Sequence, residues 1–179
     1  MEREILFNGS EMRAAIRHVA EQIVGEFGND EFALLGIQKQ GVPLSERLAD
    51  AIEELGRPRP ILGKLDISLY RDDIGTRKFL PLIRETIIPF DVNDFNLVLV
   101  DDILSTGRTI RAALDAVTDY GRARMIRLAV LVDRNASEFP IHADYTGLNV
   151  HVPEELKLVA EFAPGDSEDA VYKVKWLKQ

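Results

Sequence analysis

The chain has 179 residues, no cysteine, and a formal net charge of −8 from 22 basic and 30 acidic side chains. Its length suits one domain with its own core. The missing cysteine excludes disulfide scaffolds, Cys-ligated metal sites and cysteine nucleophiles, and the negative charge excludes polyanion binding through the overall field. No apolar run approaches the ~20 residues that span a bilayer, and the first residues lack a signal-peptide pattern. We therefore expect a cytoplasmic protein without a membrane partner.

Hydrophobic periodicity predicts alternating helices and strands in the first half of the chain. Ser10 is the predicted cap of the first helix and Gly28 its end. Pro43 fits the first turn of the second helix, and Gly56 follows its last turn. The predicted elements are a helix at 10–28, a strand at 32–37, a helix at 43–55 and a strand at 61–69. A charged segment at 70–86 with Gly75 and Pro81 follows, and its composition predicts a long mobile loop or a hairpin.

The second half of the chain continues the alternation of strands and helices and then ends in two strands without a helix between them. Its predicted elements are a strand at 96–101, a helix at 108–120, a strand at 125–133, a loop at 134–149, and two late strands at 156–162 and 170–176. Strands that alternate with helices and read as continuous apolar runs indicate an α/β fold, with a mostly parallel central sheet flanked by helices. No helix separates the last two strands, so they are predicted to form an antiparallel edge or a small cap.

The chemistry is concentrated in residues 97–109, where an apolar strand runs into Asp101 and Asp102 and then into a short turn and a helix. Ligands of open α/β folds bind at the carboxyl edge of the sheet, and the free amides of a helix N-terminus hold a phosphate without net positive charge. Carboxylates beside that cradle can accept hydrogen bonds from sugar hydroxyls or orient Mg²⁺. A phosphorylated sugar fits this pattern. An acidic pair after a strand is also common as a turn and helix cap, although the full string is far more specific than the pair.

Residues 97–109 resemble the signature of type I phosphoribosyltransferases, which bind 5-phosphoribosyl 1-pyrophosphate (PRPP). Four further segments resemble the PyrR family of pyrimidine operon regulators with uracil phosphoribosyltransferase activity; they are 66–73, 111–116, 128–134 and 140–145. The resemblance implies the type I phosphoribosyltransferase fold in a single domain over residues 1–179, with a flexible loop at about 70–86 and a small hood from about 150 to 179.

The same resemblance implies roles for individual residues. Asp101 and Asp102 would hold the ribose hydroxyls and, with Arg71 from the loop, form the catalytic set. Arg134 would contact substrate, and the backbone at Leu158 would meet the uracil ring. The 5-phosphate would be bound by the turn and the start of the helix, namely Ser105, Thr106, Gly107, Arg108 and Thr109. The turn at Lys39 and Gln40 would contact pyrophosphate; the family usually has Thr-Arg there.

The expected reaction joins uracil to PRPP and gives UMP and pyrophosphate, with Mg²⁺ bound through PRPP and through Asp101 or Asp102. The resemblance also implies an mRNA partner, bound by a first helix that carries Arg13 and Arg17, and a homodimer or higher oligomer. Two alternatives fit the same residues. One is a non-catalytic regulator that senses nucleotides, which the change at Lys39 and Gln40 leaves open; the other is a purine enzyme of this fold.

Overall fold

The computed structural model describes residues 3–72, 84–153, 155–163 and 168–175. The strands in this part of the chain are β1 (Arg3–Phe7), β2 (Ala33–Ile37), β3 (Ile61–Leu65), β4 (Asn96–Leu104), β5 (Met125–Asp133), β6 (Tyr145–Asn149), β7 (Leu156–Glu161) and β8 (Ala170–Lys175). The helices are α1 (Gly9–Phe27), α2 (Gly41–Glu54) and α3 (Arg108–Thr118). None of the helices within these ranges is long and apolar enough to cross a bilayer.

A five-stranded parallel sheet forms the centre of the fold, with the strand order β3-β2-β4-β5-β6. Successive side chains of β2 and β4 enter two different cores because strand side chains alternate between faces. Leu34 and Val98 pack in the core that contains α1 and α2. Leu35 and Leu97 pack in the core that contains α3. Burial on both faces explains why these strands are apolar throughout, and the predicted α/β architecture is confirmed.

A second, smaller sheet lies over the first as the hood and has the antiparallel order β1-β8-β7. Leu158 and Val171 of this sheet join the core of α1 and α2. Arg47 of α2 contacts both carboxylate oxygens of Asp169, at 3.1 and 3.2 Å, and the carbonyl of Ala163 at 3.0 Å. Packing and this ion pair therefore hold the small sheet against α2. The late strands therefore form a small cap, which is one of the two arrangements that the sequence predicts for them.

Several predicted boundaries are wrong. Tyr145–Asn149 forms the edge strand β6 inside the segment predicted as a loop. The cap of α1 is Asn8, which accepts from the amides of Ser10 and Glu11, and not Ser10. Pro43 is the third residue of α2, and β3 ends at Leu65. The strand β1 also belongs to the small sheet, and the sequence does not predict it. Residues 73–83 of the predicted loop lie outside the described part of the chain.

Candidate active site

A cavity of about 470 Å³ opens at the carboxyl edge of the parallel sheet. The ends of β2, β3 and β4 reach this edge together because neighbouring parallel strands finish on the same side. The lining comes from the turn after β2, the segment after β3, the end of β4, the start of α3 and one residue from a distant segment. The lining residues are Gln38, Lys39, Gln40, Asp66, Ile67, Ser68, Arg71, Arg84, Asp101, Asp102, Ile103 and Thr109.

The two adjacent carboxylates lie near the end of β4. Asp101 is buried and Asp102 is half-buried, and the amide of Asp102 donates to Oδ1 of Asp101 at 3.0 Å. Burial raises the pKa of Asp101 well above its usual range, and the neighbouring charge of Asp102 raises it further. Burial also raises the pKa of Asp102. Two anions held this close favour a ligand that donates hydroxyl groups or carries a cation.

The turn between β4 and α3 is built as an anion cradle. Gly107 has φ of 88°, a left-handed conformation that favours glycine. The carbonyl of Thr106 accepts from the amides of Glu138 at 2.9 Å and Phe139 at 3.3 Å, which fixes the turn. Within the described residues, no hydrogen-bond acceptor meets the amides of Ser105, Thr106 or Gly107. These amides precede the N-terminus of α3, where the helix dipole also favours an anion.

Cationic side chains reach the cavity from other segments. Lys39 follows β2 in a turn whose Gln38–Lys39 peptide is cis, and Arg71 follows β3. The charge of Arg71 opposes the rise in the pKa of Asp101, so Arg71 lies near the acid pair. The turn reaches the acid pair because Gly41 packs tightly against β4: a Cβ there would lie 2.2 Å from the carbonyl oxygen of Val100.

Six predicted site residues do not line the cavity: Ser105, Thr106, Gly107, Arg108, Arg134 and Leu158. The first three belong to the adjoining cradle. The Arg108 side chain pairs with Asp72 at 2.7 Å and with Glu138 at 2.8 Å. Arg134 donates to the carbonyls of Val152 at 3.4 Å and Pro153 at 3.3 Å, and so holds the segment that leads into β7.

Leu158 is 5% exposed, and its side chain packs in the core of α1 and α2. Its neighbour Lys157 is exposed, and its positive charge opposes the rise in the pKa of Asp102 that burial causes. The strand β7 therefore presents a cation toward the acid pair.

Sequence reasoning missed four lining residues with polar side chains: Gln38, Asp66, Ser68 and Arg84. Asp66 and Ser68 lie within the quoted segment 66–73, so that resemblance was a usable signal for both. Gln38 adjoins the turn that was singled out. Arg84 lies in the predicted flexible loop at about 70–86, but its approach to the cavity depends on hydrogen bonds between distant segments.

Comparison with known proteins gives the family. The family model of the phosphoribosyl transferase domain matches residues 2–161. The chain is 46% identical to the Bifunctional protein PyrR of a Roseiflexus species, over 97% of this chain and 96% of the relative. It is 47% identical to that of Thermus aquaticus, over 93% and 92%. This chain belongs to the PyrR family.

The solved structures show that the phosphoribosyltransferase fold extends beyond that family. The hypoxanthine phosphoribosyltransferase of Staphylococcus aureus is similar with a TM-score of 0.65, over 85% of this chain and 79% of that chain. Its sequence is 18% identical, so the likeness concerns the fold alone. The predicted family and fold are both confirmed, and the chain is a phosphoribosyltransferase by family and fold.

Proposed function

We propose that the protein is a uracil phosphoribosyltransferase of the PyrR kind, joining uracil to PRPP with release of pyrophosphate. The observation that carries this is the acid pair of Asp101 and Asp102 beside the amide cradle of residues 105–109. The acid pair would accept hydrogen bonds from the ribose hydroxyls, and the cradle would bind the 5-phosphate. The cavity continues from these groups to the turn at Lys39 and Gln40, where pyrophosphate would lie.

Catalysis in this proposal depends on positioning and charge rather than on a side-chain nucleophile. The new bond forms between the uracil nitrogen and the anomeric carbon of PRPP as the bond to pyrophosphate breaks, and the proton on that nitrogen is released to the departing pyrophosphate or to water. The cradle and the acid pair hold the ribose so that this carbon faces the base. Lys39 and Arg71 stabilise the negative charge that the departing pyrophosphate gains.

The residues present fit Mg²⁺ brought in with the substrate. No group of three or more His, Asp or Glu side chains in the described ranges is arranged to hold a metal ion alone. Mg²⁺ commonly binds through one or two carboxylates together with substrate phosphates, and Asp101 or Asp102 supplies a carboxylate here. When bound, the ion would stabilise charge on the pyrophosphate.

The base assay tests the proposal. The purified protein is incubated with PRPP, Mg²⁺ and radiolabelled uracil, hypoxanthine or guanine in turn. We expect UMP from uracil and no product from either purine. Product from a purine would establish the purine enzyme instead. Absence of product with every base, together with tight UMP binding, would establish the nucleotide-sensing regulator.

The double variant Asp101→Asn with Asp102→Asn tests the acid pair itself. We expect it to fold and to lose PRPP binding, since neutral amides are poorer acceptors for hydroxyls and do not attract Mg²⁺. Asp115→Asn is the matched control, because Asp115 is exposed on α3 and pairs with Arg111 away from the cavity. Unchanged PRPP affinity in the double variant would contradict the assignment of the ribose site.

The proposal includes regulation, with UMP as the signal and mRNA as the partner. Arg13, Arg17 and Arg47 line a groove between α1 and α2 together with Asp50 and Glu54. Arg47 is held by Asp169, so RNA phosphates would bind at the exposed side chains of Arg13 and Arg17. Each phosphate that these arginines neutralise would release counterions, so binding would weaken as salt rises. RNA affinity over a salt series is the measurement, and a weak, salt-independent response would refute this part. We also propose that the protein is cytoplasmic. We further propose that it forms a homodimer or higher oligomer, and light scattering of the purified protein would test that oligomeric state.

A further inference from the structure

We propose that the segment 137–141, which follows β5, holds the amide cradle in the geometry that binds a phosphate, and that Phe139 is its main positioning residue. This inference rests on the proposed function, because it concerns how one part of the same site is held. Phe139 touches no ligand here; it acts through Thr106 and Gly107, with which the segment makes contacts of two kinds.

The main chain of the segment fixes the orientation of one peptide of the cradle. The carbonyl of Thr106 accepts hydrogen bonds from the amides of Glu138 at 2.9 Å and Phe139 at 3.3 Å. In a trans peptide the carbonyl and the following amide point in opposite directions, so the amide of Gly107 points away from the segment. No acceptor meets that amide within the described residues. It is therefore available to a phosphate oxygen on the side opposite the segment.

Side chains of the segment fill the space directly beside Gly107. A Cβ at position 107 would lie 3.4 Å from the Cβ of Phe139 and 3.5 Å from both the Cβ and the Cδ1 of Ile141. Both side chains are half-buried, and Ile141 also packs against the core that contains α3. The segment therefore connects the turn to that core and blocks movement of the turn toward it.

The segment has internal contacts that fix its own shape. The amide of Ile141 donates to the carbonyl of Phe139 at 2.7 Å, and the hydroxyl of Ser137 donates to the carbonyl of Ile141 at 3.2 Å. Pro140 follows Phe139 in the sequence and restricts the backbone of Phe139 to extended conformations. A segment held in these ways can act as a fixed support for its neighbour.

The packing of Phe139 carries this role rather than the ion pair of Glu138. Oε2 of Glu138 accepts from Arg108 at 2.8 Å, but the two side chains are 53% and 47% exposed, and exposed ion pairs contribute little. Phe139 adjoins Gly107 through its Cβ, and its ring centroid lies 5.2 Å from Cζ of Arg108. Donors that are held in place bind an anion more tightly than mobile donors, because binding does not have to order them.

Four variants test the inference with UMP as the probe, by isothermal titration and by the phosphorus NMR resonance of bound UMP. Phe139→Ala removes the packing, Phe139→Leu keeps an apolar side chain, and Glu138→Gln removes only the surface charge. The matched control is Phe95→Ala, since Phe95 is half-buried and packs against the same core but precedes β4 at the opposite edge of the sheet.

We expect Phe139→Ala to weaken UMP binding about tenfold, the scale of one charge-assisted hydrogen bond. At saturating UMP its phosphorus resonance should move toward that of free UMP, because the cradle amides no longer hold the phosphate in one geometry. Phe139→Leu and Glu138→Gln should stay within about threefold of the wild-type affinity. Phe95→Ala should unfold at lower urea but match the wild type in UMP affinity and in the phosphorus resonance.

The outcomes separate this inference from the proposed function. Wild-type UMP affinity in Phe139→Ala would overturn the inference, and so would a wild-type protein that does not bind UMP. Weaker binding with an unchanged phosphorus resonance, or an equal loss in Phe95→Ala, would indicate a general loss of packing and would overturn it as well. If Phe139→Ala shows both effects but uracil is not converted to UMP, the inference stands and the proposed catalysis fails. If uracil is converted and Phe139→Ala keeps the wild-type UMP affinity, only the inference fails.

Discussion

Replacing Gly41 with alanine should damage both stability and catalysis, because this glycine is where α2 meets the central strand. A Cβ at position 41 would lie 2.2 Å from the carbonyl oxygen of Val100 and 3.4 Å from the Cα of Asp101. Both neighbours are main-chain atoms of β4. Val100 pairs with Gly36 on one side and with Ala129 on the other, so β4 cannot yield and the start of α2 must move instead.

The size of that movement sets the expected loss. Cβ contacts below 3.0 Å essentially do not occur, so the start of α2 must shift by at least 0.8 Å from its 2.2 Å contact. Overpacking of this kind costs about 1–3 kcal/mol of folding free energy, and contact with rigid backbone places Gly41→Ala at the upper end. The shift also moves Lys39 and Gln40 relative to Asp101. A misplacement near 1 Å can lower kcat/KM by up to about 100-fold.

Urea unfolding and initial rates of UMP formation measure the two effects, and Gly25→Ala is the control. Gly25 lies in α1, and a Cβ there would have nothing within 4 Å. That variant should gain about 0.5–1 kcal/mol from the lower entropy of the unfolded chain and keep wild-type kinetics. If Gly41→Ala unfolds at the wild-type urea midpoint with unchanged kcat/KM, the close approach of α2 to β4 does not position the site.

Three further changes test individual contacts. Burial and Asp102 raise the pKa of Asp101 in the folded protein, so its ionisation lowers the free energy of unfolding. This loss is absent below the ordinary carboxyl pKa and grows as pH rises, so in thermal melts Asp101→Asn should be as stable as the wild type at acid pH and more stable by about 1 kcal/mol at pH 8. A stability difference that does not change with pH would contradict this. Arg47→Ala leaves the buried carboxylate of Asp169 without its partner and should lower the free energy of unfolding in urea by about 2 kcal/mol. Arg59→Ala breaks exposed ion pairs and should lower it by less than about 1 kcal/mol. Equal losses in the two variants would refute the distinction. Asn8→Ala should lower the free energy of unfolding by about 1 kcal/mol because it removes the cap of α1, and Ser10→Ala should lower it by less than about 0.5 kcal/mol. A larger loss in Ser10→Ala than in Asn8→Ala would indicate that Ser10 is the cap.

The central sheet could be predicted because its strands carry an unambiguous signal. Residues 33–37 and 97–100 are apolar without alternation, and burial on both faces of a parallel sheet explains such a run next to helices. The edge strand β6 carries no such signal. Its residues are Tyr-Thr-Gly-Leu-Asn, Gly147 weakens strand propensity, and an edge strand has only one neighbour to bury it. β1 was missed because it is short, largely exposed, and paired with the distant strand β8.

The site could be predicted where one continuous segment supplies it and not where separate segments meet. The acid pair and the cradle follow one another along the chain, so a local pattern found both. Gln38 and Glu85 are 47 residues apart, and their hydrogen bond is one of several that hold the segment around Arg84 beside the cavity. The direction of a side chain is equally nonlocal. The motif predicted a phosphate contact for Arg108, whereas its guanidinium pairs with Asp72 and Glu138, which lie far from it in the sequence.

The distribution of charge around the cavity explains how a chain of net charge −8 can select a sugar phosphate. The cradle would bind any phosphate through its amides, so it does not discriminate. The adjacent carboxylates of Asp101 and Asp102 repel a bare anion and favour an anion that carries hydroxyl groups or a bound divalent cation. Lys39, which lines the same cavity, would attract a second anionic group. Selectivity for a ribose with phosphate at both ends then follows from the order of these three groups and does not need an overall positive field.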